Sequence, residues 1–158
     1  MKILVTGGAG FIGQYTVEEC LARGHEPFIL DHYDRKEEYP CPVVLGDVRD
    51  DVAVTEAMAH ADAWIHLAAV LGTQETVMNP RPAAQSNLMG GLNMLEAAVQ
   101  YDLPGTYIGV GNHWMNNTYS ITKTMIERFI DMYNNNRGTR VNIVRAMNAY
   151  GPRQRPVE

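Results

Sequence analysis

A chain of 158 residues has the size of one domain, and 46% hydrophobic with 20% charged residues is the balance of a globular protein, not of a disordered or fibrous one. The formal net charge of -5 argues against a nucleic-acid surface, which needs clustered Lys and Arg. The longest mostly apolar stretch, residues 63–71, contains His66 and falls short of the roughly 20 residues that a membrane-spanning helix needs. Glycines follow the short apolar start at once and no small-residue cleavage site is evident, so a soluble, cytoplasmic protein is expected. Cys20 and Cys41 lack CxxC spacing, which suggests neither a disulfide framework nor a zinc site, and no metal is expected.

Short apolar or β-branched runs alternate with longer segments of helical period, the pattern of a parallel sheet wrapped by helices. The spacing predicts a buried strand over 2–6, a glycine-rich turn, and a helix over 11–23 capped by Gly24. A second strand over 27–30 leads into a polar, charged segment over 31–40, and 43–45 forms a short third strand. A helix over 52–59, N-capped by Asp50 or Asp51, precedes a fourth strand over 63–67. Pro80 and Pro82 mark a helix start. Beyond them Ala84, Leu88, Leu92, Leu95 and Val99 draw an apolar stripe along a helix over 83–101, interrupted only by Gly90 and Gly91. A fifth strand over 106–110, a helix over 119–134 with Ile121, Met125, Ile126, Phe129 and Tyr133 on or near one face, and a sixth strand over 141–144 complete the series. The expected fold class is α/β, a doubly wound parallel (Rossmann) sheet of about six strands with helices on both faces. The methionines fall mostly on helical faces and read as core or interface filling.

The turn Thr6-Gly7-Gly8-Ala9-Gly10-Phe11-Ile12-Gly13 lies between the first strand and the first helix, the context in which a dinucleotide-binding glycine pattern has meaning. Glycine lets the chain turn tightly, lets a pyrophosphate approach the backbone, and lets helix and strand pack closely. The helix N-terminus adds amide donors and a favourable dipole. Asp31 ends the second strand, where a carboxylate accepts hydrogen bonds from an adenosine ribose and repels a 2′-phosphate, so NAD is expected over NADP. Arg35 and Lys36 follow closely and read as a solvated loop, although they are near enough to reach a 2′-phosphate.

These residues resemble the extended short-chain dehydrogenase/reductase family, the NAD-dependent sugar-nucleotide epimerases and dehydratases. The glycines have that family's TGxxGxxG form at Thr6, Gly7, Gly10 and Gly13, and the other motifs follow in the family's order. They are Gly46-Asp47-Val48; His66-Leu67-Ala68-Ala69; Asn87 opening Asn-Leu-Met-Gly-Gly-Leu-Asn-Met-Leu-Glu-Ala-Ala; Tyr119-Ser120-Ile121-Thr122-Lys123; and Arg145-Ala146-Met147-Asn148-Ala149-Tyr150-Gly151-Pro152. The resemblance implies a cofactor site of Gly7, Gly10, Phe11, Ile12, Gly13, Asp31, Asp47, Val48, Leu67, Ala68, Ala69, Asn87, Tyr119 and Lys123. Asp47 either contacts adenine or caps its turn. Asn87 is either a polar helix residue or, as the resemblance favours, the holder of a backbone bend or a water near the site. His66 reads as a packed core histidine without a role in catalysis.

Tyr119 and Lys123 stand at i and i+4 on a predicted helix and so face one site. A phenol is a poor base at neutral pH unless a nearby positive charge stabilises the phenolate. The resemblance gives that part to Lys123 and makes Tyr119 the base that takes a proton from a sugar hydroxyl. In one respect the chain departs from the family: strand five normally ends in a run of Ser or Thr, one of which assists the tyrosine. Here Tyr107-Ile108-Gly109-Val110-Gly111-Asn112-His113-Trp114 puts Val110 in that place, and the segment from Val110 to Tyr119 is short. Asn112 is the expected third catalytic residue, with His113 and Thr118 as alternatives.

Relatives of this kind carry further segments that bind the nucleotide and sugar, so the resemblance implies one NAD-binding domain over 1–158 whose C-terminal substrate part is absent or truncated. Arg145, Arg153 and Arg155 are candidates to face a substrate diphosphate, the last two also reading as a solvated tail. The helices over 83–101 and 119–134 resemble those of the family's dimeric four-helix bundle, so a homodimer is expected, with a nucleotide sugar as substrate and neither nucleic acid nor membrane as partner. The leading expectation is an NAD-dependent sugar-nucleotide epimerase or dehydratase. The alternatives are a non-catalytic NAD-binding or sensing module and a simple keto-reductase.

Overall fold

The computed structural model describes residues 1–32, 39–72 and 74–154. Arg35, Lys36 and Arg155 lie outside the described residues. The elements in order are β1 (Lys2–Thr6), α1 (Phe11–Ala22), β2 (Glu26–Asp31), β3 (Val43–Leu45), α2 (Asp51–Met58), β4 (Ala63–His66), α3 (Glu75–Met78), α4 (Pro80–Ala83), a π-helical stretch (Ala84–Met89), α5 (Gly90–Tyr101), β5 (Gly105–Val110), α6 (Thr118–Arg137) and β6 (Val141–Ala146).

The strands form one six-stranded sheet in the order β3-β2-β1-β4-β5-β6, every pair parallel. This is the doubly wound order, and its direction reverses between β1 and β4, the crevice where such sheets take ligands. Alternation along β1 divides the core. Leu4 joins Leu30, Trp64, Tyr107 and Val141 on the face covered by α2, α5 and α6, while Ile3 and Val5 join Ile29 under Val17 and Cys20 of α1. Beyond the reach of α1, that second face is more open, with Val144 of β6 48% exposed.

Local chemistry explains the element ends. Gly24 takes the left-handed conformation (φ 75°) after α1, and the His25 and Gly24 amides donate back to the Cys20 and Leu21 carbonyls at 2.9 Å, a Schellman closure. Asp50, rather than Asp51, caps α2, its carboxylate accepting from the Val52 and Ala53 amides at 3.0 and 3.3 Å. Asn117 caps α6 by accepting from the Ser120 amide at 2.8 Å. The long helix begins at Pro80, as the two prolines suggest, but passes through six π-helical residues before α5, and Gly90 and Gly91 are buried inside it. α3 was not expected, because a single turn is too short to show a period.

Candidate active site

The carboxyl ends of β1, β2, β4 and β5 and the N-terminus of α6 lie at one edge of the sheet, which brings the sequence-predicted residues together. The glycine turn is built for close approach. Gly7 sits at φ 69°, donates to Leu30 O at 3.1 Å, and accepts from the Gly10 amide at 3.0 Å. A Cβ on Gly13 would come within 3.0 Å of the Gly7 oxygen and of the Gly8 backbone, so only glycine lets α1 start this near β1. No side chain caps α1 at Gly10, and the amides of its first turn are left for an anion.

Asp31 is buried at the end of β2, and its Oδ2 accepts from the Ala9 amide at 3.1 Å. The Ala9 carbonyl in turn accepts from Tyr39 Oη at 3.1 Å and Gln14 Nε2 at 3.3 Å, so the turn is tied to β2 and α1 at once. Thr6, which sequence reasoning used only as the first letter of a motif, joins the turn to β4. His66 Nδ1 lies 2.6 Å from its hydroxyl, and the Ala68 amide donates to the same oxygen at 3.4 Å. The other ring nitrogen, Nε2, has no hydrogen-bond partner among the described residues. Burial holds His66 down at about 3, a neutral core histidine at neutral pH.

Asn87 is buried and holds the bend after Leu67-Ala68-Ala69. Its Oδ1 accepts from the Val70 amide at 2.7 Å and its Nδ2 donates to the Val70 carbonyl and to Thr122 Oγ1, both at 3.1 Å. Asp47 is turned to its own loop, where Arg49 donates to it from backbone and guanidinium and holds its carboxyl below the usual carboxylate range. Val48 is packed in the core beside α5.

Tyr119 lies in the first turn of α6 and Lys123 one turn on. Lys123 is 1% exposed, with Nζ 4.0 Å over the Tyr107 ring, and Tyr107 stacks on its other neighbour His66 at 5.8 Å. Desolvation lowers Lys123 to about 7, against the pull of the Glu127 charge, and raises the Tyr119 phenol. The tyrosine pKa thus moves opposite to the lowering expected from Lys123, because burial is the dominant influence on it here. Thr118 does not replace the missing strand-five hydroxyl: it donates to Thr76 O at 2.6 Å. His113 Nδ1 lies 3.3 Å from Gly111 O, and Asn112 closes the following turn by accepting from the Met115 amide at 3.1 Å. No hydrogen bond among the described residues joins the Asn112 side chain to Tyr119.

Two of the three arginines expected at a diphosphate are engaged elsewhere, the third being Arg155 outside the described residues. Arg145 pairs with Glu127, and Arg153 pairs with Glu18 at 2.5 Å while lying over Tyr15. Sequence reasoning passed over Glu127, although its i+4 spacing from Lys123 was readable. Among the described residues no group of three or more His, Cys, Asp or Glu is arranged to hold a metal ion, and no helix is long and apolar enough to cross a membrane. The cradle formed by Gly7, Gly10 and Gly13, the uncapped helix start and the strand-end carboxylate of Asp31 fit a dinucleotide.

Comparison with known proteins agrees with that chemistry. The family model described as the NAD dependent epimerase/dehydratase family matches residues 3–158. A putative UDP-glucose 4-epimerase of Methanocaldococcus jannaschii is 31% identical over 98% of this chain and 58% of its own length. A dTDP-glucose 4,6-dehydratase of Mycolicibacterium smegmatis is 30% identical over 98% of this chain and 55% of its own. The crystal structure of Thermus thermophilus UDP-glucose 4-epimerase in complex with NAD superposes with a TM-score of 0.92 at 32% identity, covering 99% of this chain and 58% of that one. The chain thus spans somewhat more than half the length of these relatives. With that family's model matched over nearly the whole chain and the same six-stranded parallel fold, the chain belongs to the NAD-dependent epimerase/dehydratase family.

Proposed function

We propose that the chain is the cofactor-binding part of an NAD-dependent sugar-nucleotide epimerase or dehydratase, with Tyr119 and Lys123 at its reacting centre. The observation that carries this reading is their placement one turn apart at the start of α6, at the sheet edge that also holds the glycine turn and Asp31. NAD, when bound, supplies the hydride acceptor and donor. Gly7, Gly10 and Gly13 would leave room for its pyrophosphate, the amides of Phe11, Ile12 and Gly13 would donate to it, and Asp31 would accept from the adenosine ribose. Tyr119 takes a proton from a sugar hydroxyl at its phenolic oxygen and later returns one. Lys123, lowered to about 7 by burial and so shared between its two protonation states at neutral pH, holds a ribose hydroxyl and in its protonated form offers the charge that favours the phenolate. A homodimer meeting through α5 and α6 belongs to the same reading, supported by the exposed Met89, Ile121, Met125 and Met132.

A second reading, a non-catalytic NAD-binding module, is favoured by Val110, which offers no hydroxyl where the family has one and whose own amide is engaged by Glu127. One experiment separates the two: NADH binding by fluorescence, with UDP-glucose and dTDP-glucose as probes of turnover, for the wild type and Tyr119→Phe. The enzyme reading expects Tyr119→Phe to lower turnover on the order of 10²- to 10⁴-fold while NADH affinity is kept. Residual turnover that Tyr119→Phe leaves unaltered favours the module, and absence of NADH binding sinks both.

A further inference from the structure

Three side chains stand one turn apart along α6: Tyr119, Lys123 and Glu127. The third has no part in the chemistry described so far, yet it is the most heavily engaged. Glu127 is 3% exposed. Its Oε1 accepts from the Val110 amide of β5 at 3.3 Å, and its Oε2 accepts from Arg145 of β6, from Nε at 2.9 Å and Nη2 at 2.5 Å. The amides of Gly105 and Gly111 donate to Arg140, just before β6, and to Ala146 at its end, so in a parallel strand the Val110 amide points the other way, toward a β4 that has already ended at His66. Glu127 takes the place of the missing strand. Gly109 makes the room, since a Cβ there would come within 3.0 Å of Glu127 Oε1.

We propose that Glu127 is the positioning residue of this site: by clamping Val110 and Arg145 together it fixes α6 against β5 and β6, and so sets where Tyr119 and Lys123 stand and which charge Lys123 faces. The proposal rests on the reading of Tyr119 and Lys123 as the reacting pair. Lys123 is faced by the Tyr107 ring from β5, by His66 from β4 behind that ring, and by Glu127 from its own helix, while Tyr119 acts on the Tyr107 ring and Arg145 from β6 is bound to Glu127. Among the described residues Glu127 is therefore the carboxylate that acts on Lys123. Its charge raises the proton affinity that burial lowers.

The test uses the whole chain with ¹³Cε-labelled lysine, and the pH midpoint of Lys123 is read by NMR. The chain has three lysines, Lys2, Lys36 and Lys123, so Lys123→Arg assigns the signal. Glu127→Gln, with its fold checked by circular dichroism, is expected to lower the Lys123 midpoint by about one pH unit or more, and Glu127→Asp to restore part of it. Gly109→Ala keeps the charge but displaces the carboxylate, so it should also lower the midpoint and speed hydrogen exchange at the Val110 amide. An unmoved midpoint in folded Glu127→Gln overturns the proposal, and if that variant does not fold, an unmoved midpoint in Gly109→Ala does so. NADH titration of the same samples keeps the two questions apart. Failure of the wild type to bind NADH removes the cofactor reading, while a lysine shift would still show the clamp at work.

Discussion

Lys123 places its amino nitrogen 4.0 Å above the Tyr107 ring, where the aromatic face and the Glu127 charge only partly replace lost water. The folded-state pKa of about 7 lies below the unfolded value of 10.5. Between those limits the unfolded chain binds more protons, so stability rises with pH across that window, by at most roughly 1.4 kcal/mol per pH unit. Lys123→Met removes this dependence. Urea unfolding at intervals from pH 7 to about 9.5, below the tyrosine range near 10, should show a rising stability in the wild type and a flatter one in the variant. Equal slopes would mean that Lys123 keeps its proton in the fold.

His66 should act in the acid range. Its folded value of about 3 lies below 6.5, so the unfolded chain again binds the extra proton between them, and stability present above pH 6.5 is lost as the pH falls toward 3. His66→Asn should cost roughly 1–3 kcal/mol at pH 7 through lost packing against Tyr107 and Thr6. The gap between the two proteins should narrow between pH 6.5 and 4. A constant gap over that range would contradict a neutral buried His66.

Gly13 carries two burdens at one atom. Alanine there pushes a methyl group into the Gly7 carbonyl and the Gly8 backbone, neither of which can rotate aside. Overpacking of this kind costs about 1–3 kcal/mol. Gly13→Ala is expected to lower the melting temperature and to weaken NADH binding more than that loss of folded protein explains. Unchanged NADH affinity in the folded fraction would show that the turn is structural only.

The strands and the glycine turn were legible because burial in a parallel sheet demands continuous apolar runs and because the turn demands glycine, both one-dimensional signals. The placement of Tyr119 and Lys123 one turn apart on α6 was legible for the same reason, one helical spacing in a short motif. The missed features all depend on partners far along the chain. Thr118 is committed to Thr76, and Arg145 meets Glu127 only once β6 lies beside β5. Gly109 reads as a weak point in a strand until the Glu127 carboxylate is seen to need its missing Cβ. The π-helical stretch, likewise, leaves no mark in the apolar stripe of residues 84–99.

Asp31 offers the sharpest test of cofactor choice, because its carboxylate both holds the glycine turn through Ala9 and ends β2 where an adenosine ribose belongs. Asp31→Asn keeps an oxygen for the Ala9 amide, so the turn should survive. It removes the negative charge that repels a 2′-phosphate and replaces one acceptor by a donor. Parallel fluorescence titrations should therefore show NADH binding weakened and NADPH binding kept or improved, with the preference for NADH falling on the order of tenfold, equivalent to about 1.4 kcal/mol. If the preference is the same in both proteins, the selection lies elsewhere and Asp31 serves only to anchor Ala9. If both cofactors are lost together with the fold, the anchoring part outweighs the selective one, and Asp31→Glu, which keeps the charge, should then recover neither.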